Sequence, residues 1–160
     1  MAVRKAVLEA FGAVEVSAGE AVIPGDLLYW NSTNSDFRKA DADAAAISGV
    51  FPYPRLIAMT EALIDGDVIM ACAEAILFDA DNNGFSSTAD DALYLDDTTA
   101  GGLTTTRPTG ANDLKIRVGT AIQRAGGTGA QYAHVKLEDP REVTINLQFP
   151  YVESGAPDDF

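Results

Sequence analysis

The residues best spaced for chemistry lie between Asp79 and Asp90, in the run Asp-Ala-Asp-Asn-Asn-Gly-Phe-Ser-Ser-Thr-Ala-Asp. Oxygen side chains occupy its first, third and fifth places, glycine its sixth and a carboxylate its twelfth, the spacing of a calcium loop. Calcium demands this because six or more hard oxygens must converge on one ion. Three features count against it. The twelfth residue is Asp where a bidentate Glu is usual, the flanks read as strands where an EF-hand has helices, and Asn82-Asn83-Gly84 is a good hairpin turn. A plain acidic turn is the reading taken, and Asp79, Asp81, Asn83 and Asp90 stand as an open question, not as a metal site.

Other candidates are weaker. The single cysteine, Cys72, sits in the apolar run Val68 to Ala73, and one cysteine excludes both an internal disulfide and a cysteine-rich zinc site. The single histidine, His134, alternates with Tyr132 and Lys136 on one face of an expected strand, as a half-exposed surface residue does. The acidic pairs Asp90-Asp91, Asp96-Asp97 and Asp158-Asp159 are adjacent in sequence, so on a strand their side chains point to opposite faces and cannot flank one bond. Gly126-Gly127-Thr128-Gly129 is followed by no lysine and opens no evident helix, unlike a phosphate-binding loop. Tyr29, Trp30, Phe51, Tyr53 and Phe78 could build a ligand platform, though core packing is the commoner use of such residues. No nucleophile, base and oxyanion donor can be named together, so the chain reads as a non-enzyme with no catalytic, cofactor-binding or metal residues assigned and no cofactor.

The elements that would hold these residues are strands. Gly25-Asp26 launches Leu27 to Trp30, Leu56 to Thr60 and Val68 to Phe78 are joined through Asp65-Gly66, and Ala92 to Leu95 precedes the glycine pair Gly101-Gly102. Leu114 to Ile122 and Gln131 to Leu137 follow. Asp41 to Ile47 is the one alanine-rich stretch where a short helix is expected, stopped by the prolines at 52 and 54. In Glu142 to Phe149 the apolar Val143, Ile145, Leu147 and Phe149 alternate with polar residues, a period of two that buries one face. This strand is expected to pair with 131–137 through the turn 138–141. The fold class is therefore all-β, a compact barrel or sandwich, with an N-terminal arm over 1–22, a core domain over 23–152 and an acidic tail over 153–160. A faint echo links Gly25–Trp30 with Asp90–Leu95 and Arg55–Thr60 with Lys115–Thr120, compatible with two related β units over 23–78 and 89–123 or with chance.

Composition bounds the partners. The chain has 160 residues, 47% of them hydrophobic, and a formal net charge of −13. One domain with a real core is expected, and global disorder is not. The basic residues are scattered, so the phosphate backbone of a nucleic acid is a poor partner. No apolar run approaches the roughly 20 residues of a membrane-spanning helix, and Arg4-Lys5 is followed by acidic residues where a secretory signal would be apolar, so no membrane partner and folding in a cytoplasm are expected.

The run Ala-Leu-Tyr-Leu-Asp-Asp-Thr-Thr-Ala-Gly-Gly-Leu-Thr-Thr-Thr from Ala92, then Pro108 and Ile116-Arg117-Val118-Gly119-Thr120-Ala121, resembles a module of bacteriophage virion proteins. The likeness is to capsid decoration (cement) proteins and to head or tail fibre proteins. Residues 1–5, Val7-Leu8, Gly12 and 14–20 resemble the hairpin arms that open some phage structural chains. The resemblance implies a structural protein on the outer surface of a tailed-phage capsid, assembled in the host cytoplasm, with the major capsid protein and two further copies of itself, as a homotrimer, for partners. It implies contact through the arm, Ala2 to Val22, and through Phe51 to Pro54. A head-fibre or tail adhesin subunit and a calcium-dependent extracellular binding module are the alternatives.

Overall fold

A computed structural model describes residues 5–43, 53–79, 90–111, 113–123 and 130–137. Eleven strands run through them: β1 (Lys5–Phe11), β2 (Val14–Ser17), β3 (Leu27–Asn31), β4 (Asp36–Lys39), β5 (Leu56–Ala58), β6 (Val68–Cys72), β7 (Glu74–Asp79), β8 (Ala92–Leu95), β9 (Leu103–Thr104), β10 (Arg117–Gln123) and β11 (Ala130–Lys136). Among the described residues there is no helix. The expected helix at 41–47 is absent where it can be seen, since Asp43 instead makes a bridge with Asp113, and 44–47 lie outside the described residues.

The strands form two sheets, β1-β7-β11-β10-β8-β9 and β2-β6-β5-β3-β4, with antiparallel pairing throughout. They pack face to face as a sandwich and do not close into a barrel. The main core lies between them. Leu27, Tyr29, Ile57 and Cys72 of the five-stranded sheet meet Leu77, Leu93, Leu95, Val118, Ala133 and Val135 of the six-stranded one. Alternation explains the placement: in β11 the buried Ala133 and Val135 point inward while Tyr132, His134 and Lys136 point out. A second core under the other face of the five-stranded sheet gathers Ala18, Val22, Leu28, Ala58, Ile69 and Ala71. That sheet is therefore apolar on both faces, and a single parallel bridge from Ala18 to Phe37 draws its two edges together.

Relabelled in chain order, β2 to β6 give the sheet order first, fifth, fourth, second, third, and β7 to β11 give the same order. Two five-stranded units of one topology thus stand face to face, one per sheet. The sequence echo falls on matching places, because β3 and β8 are the second strands and β5 and β10 the fourth, and each pair is antiparallel. The units differ in one respect: β1 adds a sixth strand beside β7, whereas beside β2 the described residues place no further strand and only the end of the edge meets β4, through Ala18 and Phe37.

The expected single strand 68–78 is broken at Ala73, where the chain passes from one sheet to the other. Its partner does the same at Gly12-Ala13. From Glu9 opposite Ile76 to Ser17 opposite Val68 the register never slips, so 9–17 and 68–76 form one bent ribbon shared by both sheets. A left-handed φ of 71° at Gly12 makes the bend. Residues 5–17, within the expected arm, are thereby built into both sheets as edge strands. One further expectation is corrected: β11 is flanked by β10 on one side and β7 on the other, so 142–149, which lies outside the described residues, has no free edge of β11 to pair with. A hairpin needs an open ladder, and both of this strand's ladders are used.

Candidate binding surface

The structure does not draw the sequence-derived candidates into one site. Asp79 ends β7 and Asp90 has a φ of 70°, its N–H donating to the Ala121 carbonyl at 2.9 Å, and residues 80–89 lie outside the described residues. Among the described residues no three His, Cys, Asp or Glu side chains gather as metal ligands would. Cys72 is buried, its Sγ 3.9 Å from the Ile57 carbonyl, and burial pushes the thiol above its ordinary value, away from the reactive thiolate. His134 lies across the ladder on the outer face, its Nε2 2.6 Å from Glu74 Oε1, as a surface pair joining β11 to β7. Asp96 accepts from both the N–H and the hydroxyl of Thr98, which closes a turn.

The aromatic residues divide. Tyr29 is core, and burial pushes its phenol above the ordinary 10.0 against the opposing pull of Arg38. Trp30 packs on Phe37 with ring centroids 5.1 Å apart, and Phe78 on Tyr132 at 5.4 Å, each pair set by the cross-strand register. Tyr53 is half-buried and Pro54 buried, while Phe51 and Pro52 lie outside the described residues.

A different feature presents large apolar groups to solvent: the turn between Ala62 and Val68. Leu63 is 73% exposed, Ile64 66% and Val68 68%. The turn is tightly held. The Asp67 carboxylate accepts from the N–H of Leu63 at 2.8 Å and of Ile64 at 3.1 Å. Ala62 and Val22 exchange both backbone bonds, at 3.0 and 3.1 Å, and Gly66 donates to Ala18 at 2.8 Å while Ala18 donates back to Asp67 at 2.9 Å. Gly66 takes a φ of 91°, so this tip is clamped at both ends on the second core. Glu61, Asp65 and Asp67 surround it with acid. Apolar side chains grouped on the surface within a polar rim are a feature that interaction sites share. Sequence reading found the Asp65-Gly66 turn and passed over the Leu-Ile pair beside it, because apolar residues next to a turn ordinarily belong to the core. No family model and no curated protein sequence matches this chain.

Proposed function

We propose that this chain is a structural virion protein of a tailed bacteriophage that decorates the outer surface of the capsid shell and stabilises it by bridging capsid subunits. The reading starts from the likeness of Ala92 to Ala121 to phage decoration modules. The observation that carries it is the clamped apolar tip Leu63-Ile64 with Val68 beside it, a preformed anchor on a two-sheet body. Its partner is an apolar hollow with a basic rim on the shell, opposite Glu61, Asp65 and Asp67. Because the tip is ordered before contact, little conformational entropy is lost on docking. Burying two such side chains contributes about 1.5–3 kcal/mol each, and repetition over the shell supplies avidity. The net charge of −13 suits a surface facing away from packaged nucleic acid.

The test mixes purified protein with tailed-phage capsid shells that lack decoration. Co-sedimentation and a rise in shell melting temperature are expected. The variant L63A/I64A, altered only on the exposed tip, should bind at least about 100-fold more weakly. A wild-type protein that stays in the supernatant removes the decoration reading, and a variant that binds as tightly as wild type removes the tip.

A further inference from the structure

The outer face of the six-stranded sheet is a second surface with apolar groups open to solvent, and its charges are sorted by strand. We infer that it is the interface of a two-fold pair, each copy laying this face on the same face of the other. The inference stands on the fold and is independent of the capsid reading.

Alternation puts the residues there. In β7 the half-buried Glu74, Ile76 and Phe78 alternate with the buried Ala75 and Leu77, and in β11 Tyr132, His134 and Lys136 alternate with the buried Ala133 and Val135. Register sets them in rows: Glu74 opposite Lys136, Ile76 opposite His134, and Phe78 opposite Tyr132, whose ring centroids lie 5.4 Å apart. The neighbouring strands continue the rows. On the β1 side Phe11 stands opposite Glu74 and Glu9 opposite Ile76, and on the β10 side Thr120 stands opposite His134 and Ile122 opposite Tyr132. Arg117 joins this face, its Nη2 donating to the Thr120 hydroxyl at 3.0 Å. Phe11 is 51% exposed and Ile122 39%, so apolar groups lie open on both flanks.

Charge selects the occupant. The β1 and β7 half of the face carries the acids Glu9 and Glu74, and the β11 and β10 half carries the bases Lys136 and Arg117, with His134. These formal charges cancel, in a chain whose net charge is −13. Two such chains repel wherever their acidic surfaces meet, and a balanced face lets them approach. The face is also complementary to itself. A two-fold axis lying in the contact plane, parallel to the strands and midway between β7 and β11, turns each half over the opposite half of the second copy. Because the members of a row share one height, Glu74 then faces Lys136 of the second copy, Lys136 faces its Glu74, and Phe78 and Tyr132 cross over in the same way. Sheets packed face to face keep their strands within about 30° of each other, and this axis allows that. His134 Nε2 lies 2.6 Å from one oxygen of Glu74 and holds the carboxylate in position before contact. Lys136 is exposed and makes no ion pair among the described residues. An isologous contact of this kind closes at two copies, where the resemblance to phage proteins implies three.

The experiment uses full chains and reverses one charge at a time. One face of a small domain is at the low end of specific interfaces, so sedimentation is read at about 100 μM, where the wild type should be a dimer. Lys136→Glu sets like charges at both contacts across the axis, and Glu74→Lys does the same with the opposite sign. Each variant should dimerise at least about 10-fold more weakly. Mixed, the two should form a heterodimer about as tight as the wild type, since every contact across the axis then joins unlike charges. Each variant also places like charges opposite one another within its own ladder, which mixing cannot relieve, so recovery on mixing reads the contact between copies alone. A tag on one variant lets native mass spectrometry count the species. A monomeric wild type would overturn the inference by showing that this face is covered within its own chain or by a different partner, and a trimer would overturn the two-fold. A dimer that neither reversal weakens, or variants that stay apart on mixing, would refute the placement on this face.

Discussion

Gly101 offers a sharp test of how the two units are joined. Its φ is +77°, its carbonyl accepts from Leu27 of β3 at 3.0 Å, and its N–H donates to Ala40 at 2.6 Å, so the loop between β8 and β9 is stitched to the opposite unit. A Cβ added here would sit 3.0 Å from Cγ of Asp26, which is 6% exposed and fixed by accepting from Ile23 N–H at 3.0 Å. Gly101→Ala therefore suffers twice, through left-handed backbone, about 1–2 kcal/mol, and through crowding against a side chain that cannot swing away, about 1–3 kcal/mol. Gly66→Ala is the control: its φ is +91° and a Cβ there meets nothing within 4 Å, so only the backbone cost of about 1–2 kcal/mol applies. With an m-value of about 2 kcal/mol/M, urea midpoints should fall by about 0.5–1 M for G66A and about 1–2.5 M for G101A, with m unchanged. Equal midpoints for the two variants would show that Asp26 yields freely, and the tight seam described between the units would be wrong.

Two further outcomes follow from ionisable groups whose desolvation shifts their titration, half-buried Asp41 and buried Cys72. Burial raises the Asp41 carboxyl above its ordinary 3.8, the Asp43 N–H at 2.9 Å opposes this, and Asp43, Asp96 and Asp97 add to the rise. The folded chain then holds this proton to higher pH than the unfolded one, so the group costs stability as pH climbs through the interval above 3.8 and contributes nothing below it. Asp41→Asn, which keeps the acceptor, should raise the melting temperature at pH 7 and leave it unchanged at pH 3; equal gains at both would exclude the titration as cause. Cys72 should resist a thiol reagent at pH 8 in the folded protein and react fully in denaturant, and fast labelling of the folded form would contradict its burial.

Much of the fold was readable because local pattern and final burial agree. Gln131 to Leu137 alternates in sequence and becomes β11, and the continuous apolar run Leu27 to Tyr29 becomes β3, buried on both faces between the two cores. Of the stretch expected as a helix only 41–43 lie among the described residues, and there tertiary packing overrides propensity, Ala40 and Ala42 being packed into the core with their N–H groups donating to Leu27 and Asp96. The strand 68–78 was read as one because its sequence is continuously apolar, and the break at Ala73 belongs to the passage between sheets, which no local residue announces. The exposed tip was missed for a related reason: Leu63 and Ile64 have the composition of a core and the position of a surface.

By itself, then, the amino-acid sequence determined the class of structure, the places of most strands and the apolar setting of Cys72, since all of these follow from period, composition and spacing along the chain. It also held the faint echo between Gly25–Trp30 and Asp90–Leu95. Only the tertiary structure decided which strands stand side by side, by giving β2 to β6 and β7 to β11 one strand order, and which edges were taken. Pairing is settled by long-range competition for ladders: β11 is occupied on both sides by strands distant or near in sequence, while residues 9–17 become edge strands because the ribbon there runs along the outside of both sheets.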